Sequence, residues 1–330
     1  MASDGLRCPR TGALQGTARW PEVALDRGRV VDNRGAMLDV GLVGSLLDRA
    51  DALRSDLDAL ERLAQQPDAR LLLLDGLEPA VTADGTLEWS SLAALPPGVD
   101  LALLGLLEGR GHFVALTPIS ADVARSRSPF GALDLLTTVE ASTYAAARSL
   151  VDWHARHRYC ARCGHDTTTF RAGWGRRCTG CRAEHYPRTD PVVIMLAEHE
   201  GRVLVGRQPR FPPRFYSALA GFVEVGESLE AAVARELFEE AGVRARAVRY
   251  VASQPWPFPS SLMLACVAEV DGDALTLDGT ELEDAMWVTR AEVVAALAGA
   301  ADARFLVPPP YAVAHTLLRH WSEESAQTDE

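Results

Sequence analysis

The sequence predicts an α/β protein in three parts. A C-terminal α/β/α sandwich with a mixed sheet is preceded by a four-cysteine metal ribbon and by a smaller α+β domain at the N-terminus. Three observations carry this expectation. After residue 187, strand-length apolar runs alternate with Ala/Leu/Glu-rich helical stretches. Two Cys-x-x-Cys pairs, Cys160/Cys163 and Cys178/Cys181, stand fourteen residues apart. The first 125 residues carry their own helical and strand-like segments, broken by turn signals. The expected division is residues 1–125, a connecting helix at 126–157, the ribbon at 158–187 and the sandwich at 188–330.

A chain of 330 residues with 48% hydrophobic content can bury two or three cores. Its net charge of −12 argues against broad non-specific binding to nucleic acid. All 33 basic residues are Arg. No apolar run reaches the length of a membrane span. Residues 1–20 lack the apolar stretch of a signal peptide; their Arg-containing, acid-poor composition fits a ragged start, with a transit peptide as the alternative. The final residues form no peroxisomal address. Paired cysteines suit metal binding in a reducing compartment, so the expected location is cytoplasmic. Of the other two, Cys8 stands alone and Cys266 lies in an apolar strand-like run, where it reads as core.

Along the N-terminal domain, residues 41–65 show helical periodicity with Asp and Arg on the outer face. Residues 69–74 and 111–116 read as strands. Asp75-Gly76, Asp84-Gly85 and Pro96-Pro97-Gly98 mark the loops between them. No nucleotide motif occurs here. Residues 131–157 read as one long helix that runs into the first cysteine pair.

Each Cys-x-x-Cys forms a knuckle presenting two thiolates, and two knuckles close a tetrahedron around one Zn²⁺. Four thiolates leave no open position, so the zinc is structural; four-Cys iron–sulfur ligation is the rival. Eight Arg and three acidic residues lie between His154 and Asp190, which suits either nucleic acid or a diphosphate. Trp174, His185 and Tyr186 are candidates for base stacking or for the ribbon's own core.

In the last part, residues 191–196 and 202–206 read as a hairpin turning at His199-Glu200-Gly201. Residues 207–214 form a Pro-rich loop and residues 228–240 a helix without Gly or Pro. Residues 253–261 form a second Pro-rich loop, and residues 262–270 a strand. Residues 281–287 precede a final strand and helix.

The helix at 228–240 holds the chemistry. Ser228 can cap its start and Gly242 can end it. Leu229, Val233 and Leu237 form a stripe for the core. Glu236, Glu239 and Glu240 fall at i, i+3 and i+4, so their carboxylates share a face. Like charges repel there, and the C-terminal end of a helix favours cations instead. A hard divalent cation, Mg²⁺ or Mn²⁺, would neutralise such a cluster. The alternative is a solvated acidic face paired with Arg235.

Residues 221–243 read GFVEVGESLEAAVARELFEEAGV: Gly221, Glu227, Arg235-Glu236-Leu237, Glu239-Glu240 and Gly242-Val243. This pattern resembles the Nudix box at every fixed position. Residues 253–261, SQPWPFPSS, together with the four-cysteine ribbon, resemble the NADH pyrophosphatase subfamily of Nudix hydrolases. The resemblance spans about residues 128–325. It implies that Glu236, Glu240 and Glu281, with Glu239 close by and the carbonyl of Ala220, hold Mg²⁺ or Mn²⁺. It implies that Gln254, Pro255, Trp256, Pro257, Phe258, Pro259, Ser260 and Ser261 line a dinucleotide pocket with Tyr186 and Ala314, and that Phe222 stacks on a base. Arg235 would orient the glutamates and Glu239 would assist the water.

The implied reaction is hydrolysis of the diphosphate of NADH or NAD⁺ to AMP and the nicotinamide mononucleotide, with NAD-capped RNA as a second substrate and a homodimer as the active form. Two departures stand out. A family acidic contact falls at Gly173, and an upstream Arg contact has no counterpart in residues 128–133. The alternatives are a nucleic-acid-binding zinc-ribbon protein with a non-catalytic Nudix sensor, and a Nudix hydrolase for another nucleoside diphosphate such as ADP-ribose.

Overall fold

Alternation of side chains along each strand sets which layers pack on which face of a sheet. The structure, a computed structural model, describes residues 29–32, 35, 37–119 and 130–324. Residues 1–20, Cys8, Ser128 and the final residues 325–330 lie outside the described residues.

The N-terminal part begins with an antiparallel pair, β1 (Arg29–Val31) and β2 (Met37–Asp39). Helix α1 (Leu57–Ala64) follows, with Asp56 accepting from the amide of Ala59 as its cap. Next come β3 (Arg70–Leu72), a small hairpin of β4 (Leu74–Asp75) and β5 (Glu78–Pro79), then β6 (Trp89–Ser91), β7 (Leu101–Leu107) and β8 (Arg110–Ala115). The four main strands form a sheet in the order β6–β3–β8–β7. Leu71, Leu103 and Phe113 face α1 and pack on Leu63. Their neighbours Leu72, Ala102, Leu104 and Val114 face α2 (Thr138–Arg156), packing with Tyr144, Ala147, Leu150 and Val151.

Two expected helices are shorter than their periodicity suggests. Within residues 41–65 only Leu57–Ala64 is α-helical. Leu42 and Ala50 take φ of 60° and 47°, left-handed values that an α-helix cannot contain. Helix α2 starts at Thr138, where the side chain of Thr137 accepts from the amide of Glu140. Ala132, Leu133 and Leu136 still reach the core from the turns before it.

The ribbon is a three-stranded antiparallel sheet of β9 (Thr167–Phe170), β10 (Gly175–Cys178) and β11 (Glu184–His185). Its turn docks on β7. Leu103 donates its amide to the carbonyl of Ala172, and the indole of Trp174 donates to the carbonyl of Leu103 at 2.7 Å. The Arg54 guanidinium lies 3.9 Å over the Trp174 ring. Trp174 is therefore a packing residue.

The last part contains β12 (Asp190–His199), β13 (Arg202–Arg207), β14 (Leu219–Phe222), α3 (Leu229–Ala241), β15 (Ala245–Trp256), β16 (Ser261–Val270), β17 (Asp284–Thr289), α4 (Arg290–Leu297) and α5 (Val313–Glu324). Its sheet runs β15–β16–β12–β13–β17, with β14 also on β12. Strands β12 and β16 are parallel and the remaining pairs antiparallel, so the sheet is mixed. Along β12, Val193, Met195 and Ala197 face Val233 and Leu237 of α3, with Cys266 in the same core. Ile194 and Leu196 face Val293 of α4 and Leu317 and Trp321 of α5. This is the expected α/β/α layering.

Leu38 and Val40 also belong to the core beneath α5. The first described strands thus join the C-terminal layers, which differs from a division placed only at residue 125. The second Pro-rich loop is shorter than expected too. Strand β15 continues through Trp256, pairing Gln254 with Met263 and Trp256 with Ser261. Pro255 fits within it because β15 is an edge strand, where a missing amide is tolerated.

Candidate active site

Helix α3 places its glutamates by local geometry. The Ser228 hydroxyl accepts from the amide of Ala231 at 3.3 Å. At the other end Gly242 takes φ 74°, and the amides of Gly242 and Val243 reach the carbonyls of Phe238 and Leu237. With Val233 and Leu237 in the core, Glu236 and Glu240 are buried, and Glu236 turns toward β14. Gly221 on β14 makes room for this: a Cβ there would lie 1.8 Å from Cδ of Glu236.

Arg235 ties the acidic groups together. Its Nε and Nη2 donate to the two oxygens of Glu227 at 2.7 and 2.9 Å, a bidentate pair. Nη1 donates to Glu236 at 2.8 Å and to Glu239 at 2.9 Å. Nη2 also donates to the carbonyl of Phe222 at 2.8 Å, fixing β14 to the helix. Hydrogen bonding from Arg235 pulls the Glu227 carboxyl down to about 2. Glu227 also accepts from the amide of Glu224 at 2.9 Å, which closes the loop before α3.

Glu240 is the opposite case. Burial first, then the charges of Glu236, Glu281 and Asp278, pushes its carboxyl up to about 8. One of its oxygens, Oε2, is buried without a hydrogen-bond partner among the described residues. Glu236 is also raised, by burial, with Arg235 opposing the shift. A buried carboxylate oxygen left without a donor, beside a second buried carboxylate, is what a hard divalent cation satisfies, so Glu236 and Glu240 fit such an ion. Glu281 approaches from the loop before β17 and Glu239 stays exposed.

Asp278, which the sequence did not single out, shapes that loop. Its carboxylate accepts from the amides of Glu281 and Leu282 and from the hydroxyl of Thr280. Its own amide donates to the carbonyl of Glu240 at 3.3 Å. The signal available was the Asp-Gly-Thr turn, with an acidic residue three positions on.

In the ribbon the four thiolates of Cys160, Cys163, Cys178 and Cys181 lie within 4.8 Å of one another. Sγ of Cys160 is 3.7 Å from that of Cys181, and Sγ of Cys163 is 3.4 Å from that of Cys178. A Zn–S bond of about 2.3 Å sets tetrahedral sulfurs about 3.8 Å apart, so the cluster fits zinc. The amides of Gly180 and Cys181 donate to Sγ of Cys178 at 3.3 Å, as a knuckle requires. Gly164 turns the first knuckle with φ 77°.

Family models match two parts of the chain: the NUDIX domain over residues 187–307 and the NADH pyrophosphatase zinc ribbon domain over residues 155–186. Curated relatives extend the match. The NAD-capped RNA hydrolase NUDT12 of Homo sapiens is 35% identical, covering 84% of this chain and 72% of that protein. The Macaca fascicularis protein of the same name matches at the same identity and coverage. The NAD-capped RNA hydrolase NudC of Mycobacterium bovis is 38% identical, covering 83% of this chain and 92% of that protein.

The chain belongs to the Nudix hydrolase family. It is an enzyme with a Nudix fold and a zinc ribbon, and the box described above is its Nudix box.

The remaining expected site residues lie on other elements of the chain. Ala220 lies on β14 opposite Ile194, one residue from Gly221. Phe222 ends β14 with its side chain 62% exposed, beside the Arg235 contact. Tyr186, also exposed, closes the ribbon; its hydroxyl donates to Glu184 at 2.6 Å and its ring meets Phe170. Trp256 and Phe258 pack edge to face, 5.2 Å between centroids, with Phe130 against both. Pro257 and Ser261 are buried, whereas Pro255 and Pro259 are exposed. The Ser260 hydroxyl donates to the carbonyl of Arg188.

Gln254 and Ala314 stand behind this surface. Gln254 is fully buried, donating to the carbonyls of Gly41 at 2.7 Å and Tyr311 at 2.9 Å and accepting from the amide of Val313. It therefore supports the loop, and Ala314 is part of the core under α5. Gly173 takes φ 83°, and a Cβ there would meet the Cβ of Ala102 at 2.4 Å. The ribbon's docking on β7 thus explains why no acidic side chain stands at this position. Among the described residues, no helix is long and apolar enough to cross a membrane.

Proposed function

We propose that this Nudix hydrolase cleaves the diphosphate of NAD(H) to AMP and nicotinamide mononucleotide, and removes NAD caps from RNA by the same reaction. The observation that carries the chemistry is Glu240: buried, without a hydrogen-bond partner on Oε2 among the described residues, and beside the charges of Glu236 and Glu281. The substrate class is supported by the relatives, which are named NAD-capped RNA hydrolases, and by the family of the ribbon.

In this reading Glu236, Glu240 and Glu281, with the carbonyl of Ala220, hold Mg²⁺ or Mn²⁺. When bound, the dication polarises the phosphate and lowers the pKa of water. Arg235 orients the carboxylates by holding Glu227, Glu236 and Glu239 in one network. Glu239, exposed and gripped on one oxygen, accepts the proton of the attacking water. Phe222 and Tyr186 offer faces for a base, and Trp256 and Phe258 shape the pocket wall. The ribbon holds one structural zinc. The active form is a homodimer in the cytoplasm.

Kinetics on NADH, NAD⁺, ADP-ribose and NAD-capped RNA with Mg²⁺ or Mn²⁺ test the reading. The expected result is a higher kcat/KM on the NAD-containing substrates than on ADP-ribose, lost in Glu240→Gln. Equal turnover of ADP-ribose, or full activity in that variant, would overturn it.

A further inference from the structure

We propose that Arg148 is a positioning residue for the substrate loop: from helix α2 its guanidinium holds Pro257 and Phe258, so the N-terminal half of the chain sets the shape of the nucleotide pocket. This rests on the reading that the loop at 255–261 lines that pocket.

The loop has an unusual shortage of donors. Pro255, Pro257 and Pro259 carry no amide hydrogen, so few groups are available to close the turn with its own hydrogen bonds. Its carbonyls are met from outside, by two consecutive residues of α2. Nη1 of Arg148 donates to the carbonyl of Pro257. The hydroxyl of Ser149 donates to the carbonyl of Pro259 at 3.3 Å. The Arg148 guanidinium also lies 4.5 Å over the Phe258 ring, whose edge contacts fix Trp256 and Phe130.

Filling space does not explain an arginine here. The residue is only 7% exposed, and its Nε has no hydrogen-bond partner among the described residues. Burying a guanidinium is costly, and an apolar side chain of similar volume would pack without that cost. The cation provides what Met or Leu cannot: a donor for a proline carbonyl and a charge for an aromatic face. None of its contacts involves a box glutamate. Its loss should therefore loosen substrate binding while the hydrolytic step stays intact.

The test uses the full chain as wild type, R148M, R148K, F258A and R148M/F258A, assayed on NADH with Mn²⁺. Zinc content and thermal unfolding are followed alongside. The expected result for R148M is KM raised about tenfold with kcat within about twofold, the scale of one lost charged hydrogen bond and a cation–π contact. R148K should fall between, because lysine restores the donor without the flat cation. The double variant should lose less than the two single losses added together, since both changes break the Arg148–Phe258 contact.

Amide exchange should quicken at Trp256 and Phe258 in R148M and stay unchanged along α3. KM unchanged in R148M while F258A raises it would overturn the positioning role and leave the pocket reading standing. KM unchanged in both would overturn the pocket reading itself. A fall in kcat at constant KM would also overturn the proposal. If R148M does not fold, R148K decides: KM raised about threefold supports the role, and an unchanged KM refutes it.

Discussion

Gly221 and Glu236 occupy the same space so closely that a single methyl group on the glycine would fall 1.8 Å from the carboxyl carbon of the glutamate. The glycine is required by its neighbour's side chain, since its own backbone conformation is an ordinary strand. Gly221→Ala should push the Glu236 carboxylate off the Arg235 contact and away from Glu240. A displacement near 1 Å in such a centre costs about 10²-fold in rate. Steady-state kinetics with a Mn²⁺ titration check this. Activity within threefold of wild type would show that Glu236 needs no such placement.

Glu240→Gln separates stability from activity. The Glu240 carboxyl sits at about 8 in the folded chain, raised by burial and by its acidic neighbours. Unfolded, it sits at about 4.3. The folded state therefore binds the proton more tightly. Its stabilising contribution is complete below about pH 4.3 and is lost as pH rises through about 8. Metal-free Glu240→Gln should thus melt higher than metal-free wild type at pH 8.5, with the gap closing near pH 5. Hydrolysis should fall at least about 10²-fold, and added Mg²⁺ or Mn²⁺ should stabilise the wild type far more than the variant. Thermal melts across pH, with and without the ion, decide both.

What could be read directly from the sequence was whatever local geometry fixes. Ser228, Gly242 and the spacing of Glu236, Glu239 and Glu240 define helix α3, because caps and helical phase need no knowledge of the rest of the chain. The four thiolates were equally legible, as each knuckle is a local turn. The rest depends on distant partners. Arg148 meets Pro257 across 109 positions, and Asp278 meets Glu240 only after the loop folds back. Gln254 was expected at a pocket, yet it satisfies backbone groups of Gly41, Tyr311 and Val313 that no local pattern marks as needing a partner. The helical phase over residues 41–65 failed for a related reason: tertiary packing of Leu42 overrides periodicity with a left-handed backbone.

Arg235→Lys tests the network around the box. Arginine grips Glu227 with two nitrogens while a third reaches Glu236 and Glu239, and lysine offers a single point charge in place of that fork. A loss of about 10–100-fold in kcat/KM is expected, the scale for partners that orient metal ligands. The acid limb should shift too. Glu227 is held down at about 2, so its contribution is present above the unfolded carboxyl value and is lost as pH falls through about 2. With the fork gone, the variant should unfold at a higher pH than wild type on acid titration. Coincident acid transitions for the two proteins would contradict the network.

Gly173→Glu addresses the departure in the ribbon. If the missing acidic group were simply a lost substrate contact, restoring it would tighten NADH binding. The structure gives the opposite expectation. A Cβ at 173 would meet the Cβ of Ala102 at 2.4 Å, and φ of 83° disfavours any L side chain. The backbone is also held there, since its carbonyl faces Nε2 of His154 at 2.7 Å. Substitution should cost about 1–3 kcal/mol by strain alone. It should also lift the ribbon turn from β7, exposing Trp174 and breaking its 2.7 Å bond to Leu103. Lower thermal stability with red-shifted Trp emission and no gain in KM is the expected outcome. A tighter KM at unchanged stability would mean that the ribbon can move off the N-terminal sheet at little cost, and that the glycine reflects loss of a contact instead of the docking that excludes it.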